Sequence, residues 1–464
     1  MIGTVADVVV IGAGLSGLEL ARTLVAAGVK DVLVLDAGEA PAVAAVPAAT
    51  WRTTAPPHYS AAAAPDRVGG RSLRWHGVVL RLEDWALDAS WPAPLRTALT
   101  GASGAPGAPS LYAEVERDLA AWAGGPLAGR GADETPELST AALGPSARPV
   151  PLATRPESDG ATRAYTPLAE CTEWLHRPEG SRLPRIRPGC RAVELVRDAG
   201  NVTGVRVAAA GTSEVVPATA VVLAAGTLEN TRLMARLPEL DGGEFTGLND
   251  HLVQGFVVRL PAGAAGEGTL GDSLRYVAEP ACRSNVFARV RPLPTDNGVL
   301  VDVWAMGEQV RSAESRLSFP SGGRPPTVVP GLAAADHEVL AGQRELLGRA
   351  WSAVASVAGG GGHNLRFPDF RTEPRPFATA VEQVGSAPYR TPVSYAWPLG
   401  SVDHEAGTLP LGGEHVDAAG RVRLAAGAYV AGPSTFPRSG AANPSLTTLA
   451  LARHAARTLV ADHC

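Results

Sequence analysis

The chain has 464 residues, 45% of them hydrophobic, which is more than one ordinary domain needs and points to two closely joined domains. Its 41 Lys and Arg against 46 Asp and Glu give a net charge of -5 without a basic tract, which argues against a nucleic-acid backbone as partner. Cys171, Cys190, Cys282 and Cys464 are too scattered for a zinc site or a disulfide framework, and no apolar run approaches a membrane span, so a soluble cytoplasmic protein without a metal is expected.

The first element is the apolar run Asp7 to Ile11, which has no basic leader before it and reads as a strand. Gly12-Ala13-Gly14-Leu15-Ser16-Gly17 follows, then Leu18, Leu20, Ala21 and Leu24 at helical spacing. Gly12 permits a tight turn, Gly14 lets the backbone approach a pyrophosphate, and Gly17 allows close packing of helix on strand. The free amides at the helix start, Ser16 among them, would face the phosphates. Gly28 closes the helix, and a second strand over 30–35 ends at Asp36, placed to accept hydrogen bonds from a ribose diol. This segment alone does not separate FAD from NAD, because both carry the same adenosine diphosphate.

Val68 to Gly77 contains Gly69-Gly70-Arg71-Ser72, where paired glycines permit a backbone to pass a flat cofactor or simply make a turn. Residues 101–109, and more broadly the stretch to about 160, are rich in Gly, Pro, Ala and Ser around one amphipathic helix at 111–122; a surface loop or a lid would both suit this. Ala192 to Val196, which includes Val193, and Val202 to Val207 read as antiparallel strands around a turn. Ala220 to Gly226 is a buried returning strand ending in Ala225-Gly226, and a helix begins at Leu228. From about 252 to 330, short runs with period-two patterning (253–260, 273–277, 285–290, 299–304) predict a sheet with one face free to line a cavity. A helix over 333–354 would cover the other face, and Gly359 to Gly362 forms a flexible junction. Trp75, Trp304 and Trp397 could wall such a cavity, or each could be ordinary core.

The last hundred residues hold the chemistry. His404-Glu405-Ala406-Gly407-Thr408 is followed by a strand at 428–431, by Gly432-Pro433, and by Gly440-Ala441-Ala442-Asn443-Pro444 before a final helix. Pro444 suits the first helical position and Asn443 the cap before it, so Asn443 is either a helix cap or a group aimed at a ligand in front of the helix.

Taken together, these motifs resemble the glucose-methanol-choline (GMC) oxidoreductase family over nearly the whole chain. The match rests on His404-x-x-Gly407-Thr408, on Ala442-Asn443-Pro444-x-x-Thr447 and on Gly12 to Gly17. It extends to Gly69-Gly70-x-Ser72, to Ala224-Ala225-Gly226 with Glu229-Asn230, and to Asp250-His251. The resemblance implies an α/β fold with an FAD-binding Rossmann-like domain and a second α+β substrate-binding domain containing an antiparallel sheet. The FAD domain would comprise residues 1–100, 166–250 and 400–464, with an excursion or lid at 101–165 and the substrate domain at 251–399. It also implies oxidation of a small-molecule alcohol, His404 receiving the hydroxyl proton, Asn443 bonding the same oxygen, hydride passing to the flavin, and dioxygen or another acceptor taking the electrons. The cofactor contacts it implies are Gly12, Gly14, Ser16, Gly17, Asp36, Gly69, Gly70, Ser72, Arg74, Val193, Ala225, Gly226 and Pro444.

Three positions depart from the family. Arg74 stands where covalently flavinylated relatives carry histidine, so FAD is expected to be noncovalent. Gly432 replaces a common acidic residue, and Leu409-Pro410-Leu411 replaces a usual methionine-containing pair. His251, Trp304 and Trp397 are the candidate substrate contacts and His76 a further one, while His337, His363 and His454 read as surface or packing residues. A sugar, a cyclitol, a glycosidic natural-product intermediate or a bulky apolar alcohol would each be compatible as substrate. A flavin-dependent lyase, or a noncatalytic flavin-binding protein, are the alternative functions.

Overall fold

The computed structural model describes residues 5–39, 51–54, 67–101, 109–128, 137–157, 161–209, 211–261, 263–264, 272–293, 298–321, 324–360, 363–370 and 372–463. Cys464, Gly361, Gly362 and most of the expected loop at 101–109 lie outside these residues.

The N-terminal pattern folds as its periodicity dictates. Strand β1 (Ala6–Ile11) leads through the glycine turn into helix α1 (Leu15–Ala26), and β2 (Val32–Leu35) returns parallel to β1. Apart from the exposed Asp7, the side chains of β1 and β2 are apolar on both faces, as in a parallel sheet covered on both sides. Helix α2 (Leu111–Ala123) starts at Ser110, whose Oγ accepts the Ala113 N–H at 3.1 Å. It buries Leu111, Tyr112, Val115 and Leu119 in the core, so this helix of the 101–165 segment is docked rather than detached.

Strand β3 (Arg185–Arg187) pairs in parallel with β2. Strands β4 (Cys190–Asp198) and β5 (Asn201–Ala209) form the expected antiparallel pair. Strand β6 (Thr212–Leu223) is the joint of this sheet. Its first half runs antiparallel to β5, and its second half, Ala218–Leu223, runs parallel to β1. Helix α3 (Thr227–Met234) leaves its end, starting one residue before the Leu228 expected from sequence.

The second sheet contains β7 (His251–Leu260), β8 (Ser273–Glu279), β9 (Ser284–Pro292), β10 (Val299–Glu308) and, later, β11 (Val393–Ala396), in the order β11-β7-β10-β9-β8, with the two-residue strand Arg148–Pro149 at the edge beside β8. All of these neighbours are antiparallel. Helix α4 (Ala334–Val357) covers one face, packing Leu347, Trp351 and Val354 against Phe256, Val258, Val301 and Val303. The opposite face carries His251, Val253 and Gly255 of β7, because side chains alternate along a strand. Residues opposite one another in an antiparallel pair share a face, which adds Trp304, Met306 and Glu308 of β10 and Tyr395 of β11.

Strand β12 (Ala428–Val430) returns to the first sheet beside β6, and helix α5 (Ser445–His463) closes the chain against α1. The mixed α/β architecture, with a parallel nucleotide-type sheet and a separate antiparallel one, agrees with the fold class expected from sequence. Among the described residues no helix is long and apolar enough to cross a membrane.

Candidate functional site

The glycine turn has the geometry of a ligand cradle. A Cβ on Gly12, at φ +105°, would meet the Ala224 carbonyl oxygen at 2.5 Å, and one on Gly17 would run into the Gly12 carbonyl. A Cβ on Gly14 would meet no heavy atom within 4 Å. Two glycines are therefore required by the fold, whereas Gly14 borders open space at the start of α1, where no side chain caps the helix amides. Asp36 ties this turn to the end of β2: Oδ2 accepts the Ala13 N–H at 2.6 Å and Oδ1 the Gly38 N–H at 2.8 Å. Ser16 is buried, and a Cβ on Gly432 would come within 2.7 Å of its Oγ. Glycine at 432 is thus dictated by space as well as by its φ of +101°.

The paired glycines lie against the same turn. Gly69, at φ +104°, donates its N–H to the Ala13 carbonyl at 2.9 Å, and a Cβ on Gly70 would come within 3.6 Å of Gly14 Cα. Ser72 holds the segment by donating to the Gly69 carbonyl and pairing with Thr166, both at 2.7 Å. Arg74 ends this short turn, exposed, and its charge acts on Asp403. Val193 sits half-buried at a bulge in β4. The Ala225 N–H is held by Asn230 Oδ1 at 2.8 Å, while Asn230 Nδ2 donates to the Ala431 carbonyl at 3.1 Å and to Ser434 Oγ at 3.0 Å. Asn230, fully buried, thereby locks the Ala225-Gly226 turn to the start of the C-terminal segment, a role the sequence motif did not disclose. A Cβ on Gly226 would also point into open space.

His404 is drawn into this assembly by residues on both sides of it. Arg71, the unassigned position of the Gly-Gly-x-Ser segment, makes a two-pronged contact with the buried Glu405 carboxylate and donates to the Asp403 carbonyl at 3.1 Å. Asp403 itself adopts φ +63°, a conformation in which a short polar residue is favoured over most others. His404 is half-buried among these segments. Burial, first, and then the electrostatic influence of the nearby His251, Arg71 and His76 hold its pKa well below the ordinary histidine value. At neutral pH the ring is therefore uncharged and able to accept a proton.

His404 Nδ1 lies 2.9 Å from His251 Nδ1, and His251 Nε2 lies 3.1 Å from the Gly440 carbonyl. His251 is fully enclosed, and burial lowers its pKa to about 4. Both of its ring nitrogens are taken by the protein, which leaves it poorly suited to the substrate contact expected of it. Asp250 Oδ1 accepts the N–H groups of His251 at 2.8 Å and of His404 at 3.2 Å. Burial and the neighbouring Glu405 carboxylate push the Asp250 carboxyl well above the usual range. Asp250, His251 and His404 also bring three ligand-type atoms within 4.8 Å of one another, but hydrogen bonds already engage both His251 nitrogens and His404 Nδ1.

The loop before α5 is held by two acids from elsewhere. Glu308 accepts two bonds from Arg438, at 2.7 and 2.8 Å, and one from the Gly440 N–H at 3.3 Å. Glu83 accepts the Ala441 N–H at 3.1 Å and the Asn285 amide at 2.7 Å; burial raises its pKa. The helix begins later than the cap reading required. The Pro444 carbonyl accepts the Thr448 N–H at 2.8 Å, so Pro444 takes the cap position and Asn443 precedes it. Asn443 Oδ1 is buried with no hydrogen-bond partner, and so caps nothing. A buried acceptor left this way is costly unless a ligand meets it.

Trp304 shares the His251 face of the sheet, with one side of its indole stacked on Phe287 at 5.1 Å and 9°. Trp397 follows β11 and donates its backbone N–H to the Val253 carbonyl of β7, the strand that carries His251; its indole N–H is buried without a partner. The open space at Gly14 and Gly226, the uncapped α1 amides and the orphaned Asn443 oxygen fit a dinucleotide whose flavin end reaches the C-terminal loop.

The family model for FAD dependent oxidoreductase matches residues 7–302, and that for GMC oxidoreductase matches residues 337–452. No curated protein matches the sequence. Among solved structures, the chain is similar to an FAD-dependent oxidoreductase from Chaetomium thermophilum in complex with a butanamide fragment. The TM-score is 0.64 at 16% identity, covering 99% of each chain. It is also similar to pyridoxine 4-oxidase from Mesorbium loti, with a TM-score of 0.59 at 19% identity, covering 97% of this chain and 98% of that one.

Proposed function

This chain belongs to the FAD-dependent oxidoreductases, of the GMC type, and from that premise we propose that it oxidises a carbon-bound hydroxyl of a small molecule. The observation that carries the reading is His404, an uncharged, half-buried imidazole joined through His251 to Gly440, three residues before Asn443 with its unpaired oxygen. When bound, FAD supplies the two-electron acceptor that neither imidazole nor carboxamide can provide.

The residues around it have distinct tasks. The α1 amides and the open side of Gly14 receive the pyrophosphate, and the Asp36 carboxylate the ribose. Gly69, Gly70, Ser72, Ala225, Gly226, Val193 and Pro444 shape the channel along the cofactor. With Arg74 at the position of the attachment histidine, the cofactor is held without a covalent bond. His404 accepts the hydroxyl proton. Asn443 cannot act as a base, but its carboxamide orients the hydroxyl before transfer. Trp304 and Trp397 offer flat apolar surface to the remainder of the substrate, which suits a ring-bearing alcohol, including sugars and cyclitols. Dioxygen or another acceptor completes the cycle.

The test is anaerobic mixing of the purified holoenzyme with a panel of sugars, cyclitols and aromatic or aliphatic alcohols. Bleaching of the flavin absorption by an alcohol, with recovery of the oxidised compound, is expected. If no alcohol bleaches the flavin, while a substrate is cleaved without net oxidation, the reading is wrong and a lyase takes its place.

A further inference from the structure

We propose that His251 is a positioning residue that, anchored by the Gly440 carbonyl, fixes the tautomer of His404 so that its lone pair stands on Nε2. The inference rests on the reading of His404 as the proton acceptor and adds how that residue is made ready.

The argument is a count of donors and acceptors. A backbone carbonyl can only accept, so the 3.1 Å contact between His251 Nε2 and the Gly440 oxygen requires the hydrogen on His251 Nε2. His251 is enclosed among protein groups, which disfavours its charged form, and as a neutral ring with hydrogen on Nε2 it has a bare lone pair on Nδ1. That lone pair lies 2.9 Å from His404 Nδ1, and two bare nitrogens at this distance would repel. The hydrogen between them must then belong to His404 Nδ1. A neutral imidazole carries one N–H, so His404 Nε2 is bare and is the atom that accepts a proton. The rings meet edge to face, at 87° with centroids 5.0 Å apart, which lets one nitrogen address the other without stacking.

The Gly440 carbonyl is the fixed point of this chain. Its own residue is held at φ +63° with its N–H on Glu308, and the next N–H is on Glu83. Asp250 binds the backbone N–H of both histidines and sets their spacing. When the substrate O–H bond breaks and its proton forms the new N–H bond at His404 Nε2, His404 Nδ1 keeps its hydrogen. It then donates that hydrogen to His251 as a charge-assisted bond, which stabilises the imidazolium. A catalytic histidine held in the opposite tautomer would present an N–H to the hydroxyl and could not accept its proton.

The test is the ring-nitrogen spectrum of holoenzyme labelled with [15N]histidine, with the His404 signals assigned by their loss in H404Q. The proposal expects His404 protonated on Nδ1 and bare on Nε2. H251F, which offers no acceptor, should lose this fixed form, and H251N, whose carboxamide oxygen can accept, should keep it. Flavin reduction should slow by about tenfold or more in H251F and recover in part in H251N. A wild-type His404 protonated on Nε2 overturns the proposal, as does H251F with an unchanged tautomer. If H251F does not fold with FAD, the wild-type and H251N spectra still decide. The spectrum needs no turnover, so a protein whose flavin no alcohol bleaches would fail the proposed reaction while leaving the tautomer assignment to stand or fall by itself.

Discussion

The glycine turn separates two effects that are usually confounded, because Gly14 and Gly17 sit three residues apart in opposite surroundings. A valine at 14 needs no backbone change, since the φ of -85° and ψ of -164° there are open to any residue, and no protein atom lies within 4 Å of its Cβ. G14V should therefore leave the unfolding of the apoprotein within about 0.5 kcal/mol of wild type. Its side chain would fill the space where a pyrophosphate approaches the α1 amides, displacing one or two charge-assisted bonds of about 1.5–3 kcal/mol each. FAD affinity should then fall on the order of 10- to 100-fold or more. G17A adds only a methyl, but that methyl collides with the Gly12 carbonyl, so the apoprotein itself should lose about 1–3 kcal/mol. Thermal unfolding of the apoproteins, followed by FAD titration monitored by flavin fluorescence, measures both quantities. Wild-type FAD affinity in G14V, or an apoprotein loss as large as that of G17A, would refute the assignment of Gly14 to the cofactor and Gly17 to the fold.

H404A should retain FAD and slow anaerobic flavin reduction by roughly 10²- to 10⁴-fold, the range of general-base contributions; an undiminished rate removes His404 from its role. N443A should slow reduction while changing stability by less than about 0.5 kcal/mol, because Asn443 caps no helix amide; a loss near 1 kcal/mol or more with normal reduction would restore the cap reading. The reduction rate should stay flat as pH falls through 6.5 and decline only at clearly lower pH. The His404 pKa is depressed, so its neutral accepting form persists below the ordinary histidine value; a rate that halves near pH 6.5 in a stopped-flow pH series contradicts this. R71M should cost about 2–3 kcal/mol in denaturant unfolding by stranding the buried Glu405 carboxylate, and R71M/E405Q should regain most of that; no recovery would show that the Arg71 stem, not the ion pair, matters.

The parts legible in the sequence are those in which one local pattern dictates one outcome. β1, the glycine turn and α1 follow from an apolar run, three glycines and a 3.6-residue period, and the antiparallel sheet follows from alternation in 251–308. What stayed hidden depends on contacts between distant segments. Arg71 and Glu405 lie more than three hundred positions apart, and neither neighbourhood shows that they pair. Asn230 is one polar residue in a helix until its amide is seen to join Ala225 to Ala431. Asn443 fails as a cap by a single position, a difference that the order Asn-Pro-Ser cannot reveal because either residue could supply the first carbonyl. His251 was found by its motif, but its task was hidden because both of its partners come from the last sixty-odd residues.

The same distant contacts make His404 and Asn443 interdependent across the two layers. His404 is set by Asp250 and His251, at the entry to the antiparallel sheet, while the loop before Asn443 is set by Glu308, the last residue of β10. His251 and Glu308 are register partners on adjacent strands, so one rung of the sheet holds both the histidine pair and the loop carrying Asn443. Arg438 neutralises Glu308 with two bonds and reaches Asp88 with a third at 2.7 Å, so this rung is clamped to the N-terminal hundred residues as well. A charge deletion at Glu308 would therefore not act as a simple loss of stability. It would free the Gly440 carbonyl that orients His251 and, by the same movement, shift Asn443 relative to His404. Loss of alignment at fixed FAD content is the signature that separates such a clamp from an ordinary buried ion pair.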